Sequence, residues 1–162
     1  IGFAGEEFGL LGAQAWVKAH KDKLPKIANL FNRDGGPEPP VGISVPQAMY
    51  DDFVKISEPI QKIRPDYPFE VKVREPRKRP TRMGGTDASV FAIEGVPTLG
   101  FTTEDFKGYD FDYGEIWHTE RDLYTKNIPE YQEHTATVTA IIALGVANLD
   151  KQLSREGLYT EE

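Results

Sequence analysis

The sequence contains no cysteine. Disulfides, thiolate nucleophiles and cysteine-built zinc sites are therefore excluded, and any transition-metal site must be assembled from His, Asp and Glu. The absence does not decide the compartment. An excess of positive charge is also missing: 19 Lys and Arg stand against 26 Asp and Glu, a net charge of −7. Such a chain repels phosphate, which argues against nucleic acid as a partner and weakly favours cations. No apolar run is long enough for a bilayer. The longest, residues 138–147, is broken by Thr139 and Gly145. There is no initiator Met and no signal peptide, and residue 1 already lies inside an apolar run. The chain is therefore expected to be a fragment of a longer protein.

What is present reads as one soluble globular domain over residues 1–162, with 39% hydrophobic and 28% charged residues. Residues 1–4 read as the end of a strand, followed by a helix from Gly9 to about His20 that turns Leu10, Leu11, Trp16 and Val17 inward. Gly12 lies inside that helix and is expected to permit close packing. A strand is expected at 27–32, a Gly/Pro loop at 35–40 and a brief strand at 41–43. Met49, Phe53, Ile56, Ile60 and Ile63 follow a 4-3-4-3 spacing, one face of a helix that Pro59 should kink or divide. A strand at 69–73, a basic solvated loop at 76–80, a helix at 87–94 and a strand at 96–101 follow. An acidic, aromatic loop at 104–117 precedes a final helix opened by Asn127, with Glu130 at capping-box spacing. Strands and helices alternate, so the expected fold is α/β.

Glu6 and Glu7 stand together after the first apolar run, Asp34 follows the next strand, and His118 lies in the loop after the last. Open α/β sheets place their chemistry at such strand ends. Carboxylates with a histidine and no thiolate suit Zn²⁺ or a similar divalent ion, and adjacent carboxylates allow one to bind metal while the other moves a proton. Each residue also has a plainer explanation: a helix-dipole role for the Glu pair, a turn for Asp34, a packed loop for His118, an N-cap for Asp87. His20 and His134 are expected at the surface or at helix ends. One of Arg77, Arg79 and Arg82 is a candidate for meeting a substrate carboxylate.

Four motifs share a resemblance. Phe3-Ala4-Gly5-Glu6-Glu7-Phe8-Gly9-Leu10-Leu11-Gly12, Asn32-Arg33-Asp34-Gly35, the segment from Gly84 to Phe91 with Gly95-Val96-Pro97, and Trp117-His118-Thr119-Glu120-Arg121-Asp122 occur in that order. Together they resemble the M28 zinc peptidases, which include aminopeptidases and carboxypeptidase Q-like enzymes. The resemblance implies a three-layer α/β/α sandwich with a mostly parallel mixed sheet, here N-terminally truncated. It implies a metal-dependent exopeptidase with two zinc ions. Glu6 would be the general base, Glu7 and His118 would share one zinc, Asp34 would bind the other, Asp87 would orient the site and Asp122 would anchor the His118 loop.

The family also needs a His and a bridging Asp from a segment before its Glu-Glu motif, so this chain alone is expected to be inactive. Ala88 stands where many relatives carry His, which suggests a carboxypeptidase Q-like or divergent branch. Expected partners are a peptide or dipeptide substrate and a second copy of the chain, with neither nucleic acid nor membrane. By analogy the compartment is periplasmic or secreted. Two alternatives stand beside this reading: a non-catalytic protein-binding module that kept the fold, and a glutaminyl cyclase-like acyltransferase using one zinc.

Overall fold

The computed structural model describes residues 1–160. Its sheet is mixed and three-stranded, in the order β2-β1-β3. The central strand β1 (Pro40–Val45) pairs in parallel with β2 (Glu70–Val73), placing Ile43 beside Val71 and Val45 beside Val73. On its other side β1 pairs antiparallel with β3 (Phe101–Thr103), with a register shift between Pro40 and Gly42. Parallel neighbours need a crossover. Here it contains α2 (Tyr50–Ile63), which buries Phe53, Ile56 and Ile60. These pack with Ile43, Val45 and Leu99 and with Val138 and Ile142 of α5 (Pro129–Ala147) in the main core.

A second apolar cluster joins α1 (Leu11–Ala19) to α3 (Asp87–Ile93) through Leu10, Ala13, Val17, Val90 and Phe91. The expected α/β class holds. Among the described residues no helix is long and apolar enough to cross a membrane.

Several local expectations change. Residues 1–4 and 27–32 are not strands. The 27–31 segment nevertheless lies between the two clusters: Ala28 and Phe31 pack against the first, Ile27 and Leu30 against the second. Its partner is the chain at 97–99, and much of the pairing is done by a side chain. Leu30 N donates to Pro97 O, while Asn29 donates from Nδ2 to Leu99 O and accepts at Oδ1 from Leu99 N (2.8 Å). A side-chain amide thus replaces one rung of a backbone ladder.

The last strand begins at Phe101 instead of Val96, and β1 runs into the expected loop at Pro40. Pro59 interrupts nothing: α2 is continuous, although a proline gives up one helix hydrogen bond. Leu11 points outward at 56% exposure, because the buried stripe of α1 runs through Ala13 and Val17. Gly12 does meet a close backbone. Its N–H donates to Ala4 O at 2.8 Å, and a Cβ there would lie 2.6 Å from Ala4 N and O.

At the other end of the chain, α5 starts at Pro129 without the expected capping box. Asn127 Nδ2 donates to Gln132 Oε1, and the Glu130 carboxylate turns to Lys107 and Tyr109. His134 is fully buried, contrary to its expected surface position. Its ring stacks on Tyr67 at 3.9 Å and its Nε2 lies 3.0 Å from Pro40 O. The basic 76–80 loop is not merely solvated. Arg77 donates to Thr98 Oγ1 and Arg79 donates twice to Ile93 O.

Candidate functional site

The chain around the Glu pair folds into a turn before α1. Glu6 O accepts from Gly9 N (3.0 Å) and Leu10 N (2.8 Å), and Gly5 and Gly9 adopt φ of +69° and +100°. That turn leaves both carboxylates free to face a cleft of about 1080 Å³, lined also by Asp34, His118 and Asp122. Within it His118 Nε2 lies 3.2 Å from Glu7 Oε2.

His118 is held in the left-handed region at φ 55°. A non-glycine residue pays about 1 kcal/mol or more for that conformation, a strain typical of functional positions. The turn is fastened by Thr119, whose Oγ1 lies 3.0 Å from both Glu115 O and Ile116 O and accepts from Arg121 N. Glu115 and Ile116 belong to a short helix, α4 (Tyr113–Ile116), within the aromatic loop. Asp122 is exposed in the cleft wall, and its backbone N–H donates to Thr119 O.

Asp34 sits on a loop tied by its neighbour. Arg33 Nη2 donates to Gly36 O (2.5 Å) and Glu38 O (2.6 Å), closing residues 33–38 into a clasp. The aromatic loop presses on the same place: a Cβ at Gly36 would lie 2.5 Å from Phe111 Cζ. Glycine at 36 therefore lets the Asp34 loop and the segment leading to His118 meet without a gap.

Asp87 opens α3 at 8% exposure, and its Oδ1 has no hydrogen-bond partner. Thr86 occupies the N-cap, without a side-chain cap bond. Burial, then the charge of Asp34, raises the Asp87 carboxyl above its ordinary value. Glu6 is raised as well, by burial first and then by Asp34, Glu7 and Asp87, with His118 opposing. These shifts reflect burial first and acidic neighbours second.

The structure thus brings Glu7, Asp34, Asp87 and His118 within electrostatic reach of Glu6. Among the described residues no group of three or more His, Asp or Glu side chains is gathered closely enough to hold an ion alone. The donors present still fit zinc in kind and in one separation. Two ligands of a tetrahedral zinc, each about 2.0–2.1 Å from it, stand about 3.3 Å apart, close to the Glu7–His118 spacing. The Asp87 Oδ1 atom, behind the cleft lining and within electrostatic reach of Asp34, is a further buried acceptor without a partner.

Two cleft residues were not singled out by the sequence reading. Arg33 is invisible as a clasp because its acceptors are backbone carbonyls. Lys126 is separated from every motif and reaches the cleft through the turn before α5.

Comparison with known proteins bears on the family and the fold. The family model described as peptidase family M28 matches residues 1–142. Among solved structures, a peptidase M28 precursor from Shewanella amazonensis SB2B superposes with a TM-score of 0.67 at 24% identity. The match covers 94% of this chain and 31% of that one, so the chain spans about a third of that relative's length. Among curated proteins no sequence matches. With four motifs in order, a shared fold and a family match over most of its length, the chain belongs to peptidase family M28.

Proposed function

We propose that this cleft is part of the active site of a zinc-dependent exopeptidase acting on short peptides or dipeptides. The observation that carries the reading is the approach of His118 Nε2 to Glu7 Oε2, 3.2 Å, in a cleft also lined by Glu6 and Asp34. Glu7 and His118 would hold one zinc and Asp34 a second, with further donors completing both ions. Bound there, zinc supplies a Lewis acid for the peptide carbonyl and lowers the pKa of water.

The chain's own residues supply the rest. Glu6 takes a proton from the attacking water at its carboxylate and returns it to the leaving amine nitrogen. Asp87 would orient the site, the role the family resemblance implies, and the Arg33 clasp keeps the Asp34 loop at the cleft. Membership of the M28 family supports peptide hydrolysis as the reaction class.

Glu6→Gln in the intact enzyme is the direct test. It should keep zinc stoichiometry while kcat falls by about 10²–10⁴-fold, the usual worth of a general base. Turnover within a few-fold of wild type would remove Glu6 from that role.

A further inference from the structure

Residues 152–160 carry none of the motifs and lie beyond residues 1–142, the span matched by the family model. They form an irregular strap after α5. Leu153 and Leu158 anchor it in the main core, and between them Arg155 reaches the backbone of two distant segments. Its Nη1 donates to Gly95 O at 3.1 Å. Its Nη2 lies 3.1, 3.3 and 3.2 Å from Leu24 O, Pro25 O and Ile27 O. Gln152 Nε2 adds a bond to Pro25 O at 2.7 Å. One guanidinium thus ties residues 24–27 to the turn that follows α3.

Each of those segments leads to an acid of the site. From Ile27 the chain passes Asn29 and Leu30, which bond to residues 97–99, and then reaches Asp34. From Gly95 it runs back through α3 to Asp87 in the first turn. A helix of seven residues is too short to be stable alone, and its N-cap Thr86 makes no side-chain bond. The partners of α3 stand at its other end. Arg79 donates twice to Ile93 O, one of the carbonyls that a helix end leaves free. Tyr159 of the strap places its hydroxyl 3.4 Å from both Ala92 O and Val96 O. Helix α3 is therefore held from the end opposite Asp87.

Asp34 and Asp87 are near enough for the charge of one to act on the other. Like charges favour separation, and Asp87 Oδ1 has no partner that would resist it. Restraint has to come through the backbone. Arg155 grips the backbone of both segments at once.

We propose that Arg155 is a positioning residue that sets the spacing of Asp34 and Asp87, and through it the affinity for the zinc that Asp34 holds. The inference rests on the two-zinc exopeptidase reading and gives the strap a part in that site.

Chelator competition on the intact protein tests it by resolving the two ions. Arg155→Met keeps the bulk of the side chain and removes its donors. It should weaken one ion by about tenfold, as loss of a supporting residue does, and leave the other unchanged. The weakened ion should be the one lost in Asp34→Ala. Arg155→Lys should recover part of the affinity, since an ammonium offers three donors where the guanidinium offers five. It carries the same test should Arg155→Met not fold. Ile60→Ala, a cavity in the main core, should lower thermal stability at least as much and keep both affinities. Unchanged affinities in the Arg155 variants, equal losses at both ions, or the same loss in Ile60→Ala would overturn the role of Arg155 alone. A wild type that binds no zinc would overturn the two-zinc reading and this role together.

Discussion

Glu130 and Asp105 lie beside a lysine and a set of tyrosines near the start of α5, whereas Glu6 has Asp34, Glu7 and Asp87 as charged neighbours and His118 as the basic one. In the first region Lys107 Nζ lies 2.7 Å from Glu130 Oε2 and 4.5 Å from the Tyr67 ring centroid. Tyr131 donates to Asp105 at 2.6 Å and accepts from Lys107 N at 2.9 Å. Glu130 is consequently held below its ordinary pKa, chiefly by the Lys107 hydrogen bond. In the cleft the same kinds of side chain move the other way: Glu6 and Asp87 rise, through burial and then through their acidic neighbours. The contrast separates two uses of acid. Where carboxylates serve the fold, the fold supplies their cations. Where they are gathered without them, the fold carries a cost, from burial first and like charge second, of the kind found where stability is exchanged for function.

The largest expected effect tests whether the cleft alone handles metal. His118→Ala should lower zinc affinity of the intact protein by more than about 100-fold, measured by chelator competition, since loss of even a supporting residue costs 10–100-fold. Tyr131→Phe, on the other side of the comparison, should leave affinity unchanged. Comparable losses in both variants would show that the two regions are not independent. In stability the order reverses. Tyr131→Phe should destabilise by about 1–2 kcal/mol in denaturant titration, because Lys107 N and Asp105 lose the partner they share. Asp87→Asn should stabilise the metal-free protein by about 0.5–1 kcal/mol, since it removes a buried and unpartnered charge. Destabilisation in that variant would mean that Asp87 is already satisfied.

The two regions also differ in how far the sequence discloses them. The cleft is legible because its residues stand in compact motifs at the ends of apolar segments, and because Gly12 marks a backbone approach that a side chain would block. The Lys107 region is not. It joins Tyr67, Asp105, Lys107, Glu130 and Tyr131, which lie in three separated stretches, and Glu130 at capping-box spacing invited a local explanation that a tertiary ion pair displaced. His134 went the same way: a polar residue on a helix reads as exposed until a carbonyl and an aromatic ring are found for it. Helix α2 follows its apolar spacing through Phe53, Ile56 and Ile60, since period fixes which face is buried, but Ile63 at its last turn is exposed. Strand limits followed it less well, because a strand is defined by its partners. At 27–31 the partner's rung is taken by the Asn29 side chain, which alternation of apolar residues does not reveal.

The smallest expected effect is the most direct reading of the comparison, because it concerns sign. A carboxyl whose folded pKa is raised takes up its proton in the native state before the unfolded chain does. Its unfavourable contribution is therefore present at neutral pH and disappears as pH falls through the folded value. Glu6 behaves so, from an ordinary value of 4.5. In metal-free protein, Glu6→Gln should be more stable than wild type at pH 7, and the advantage should close as the solution is acidified toward 4.5. Glu130 has the opposite sign. Its contribution is complete above 4.5 and is lost as pH falls through its depressed folded value, so Glu130→Gln should be less stable than wild type at pH 7, with the deficit shrinking only below 4.5. Taking differences against wild type removes other titrations, including that of His134, whose burial lowers its pKa and makes acid destabilising. Saturating zinc should reverse the Glu6→Gln advantage, because the bound cations favour the ionised base, and should leave the Glu130→Gln curve where it was. Parallel pH curves for the two variants would mean that the cleft acids are compensated within the fold after all.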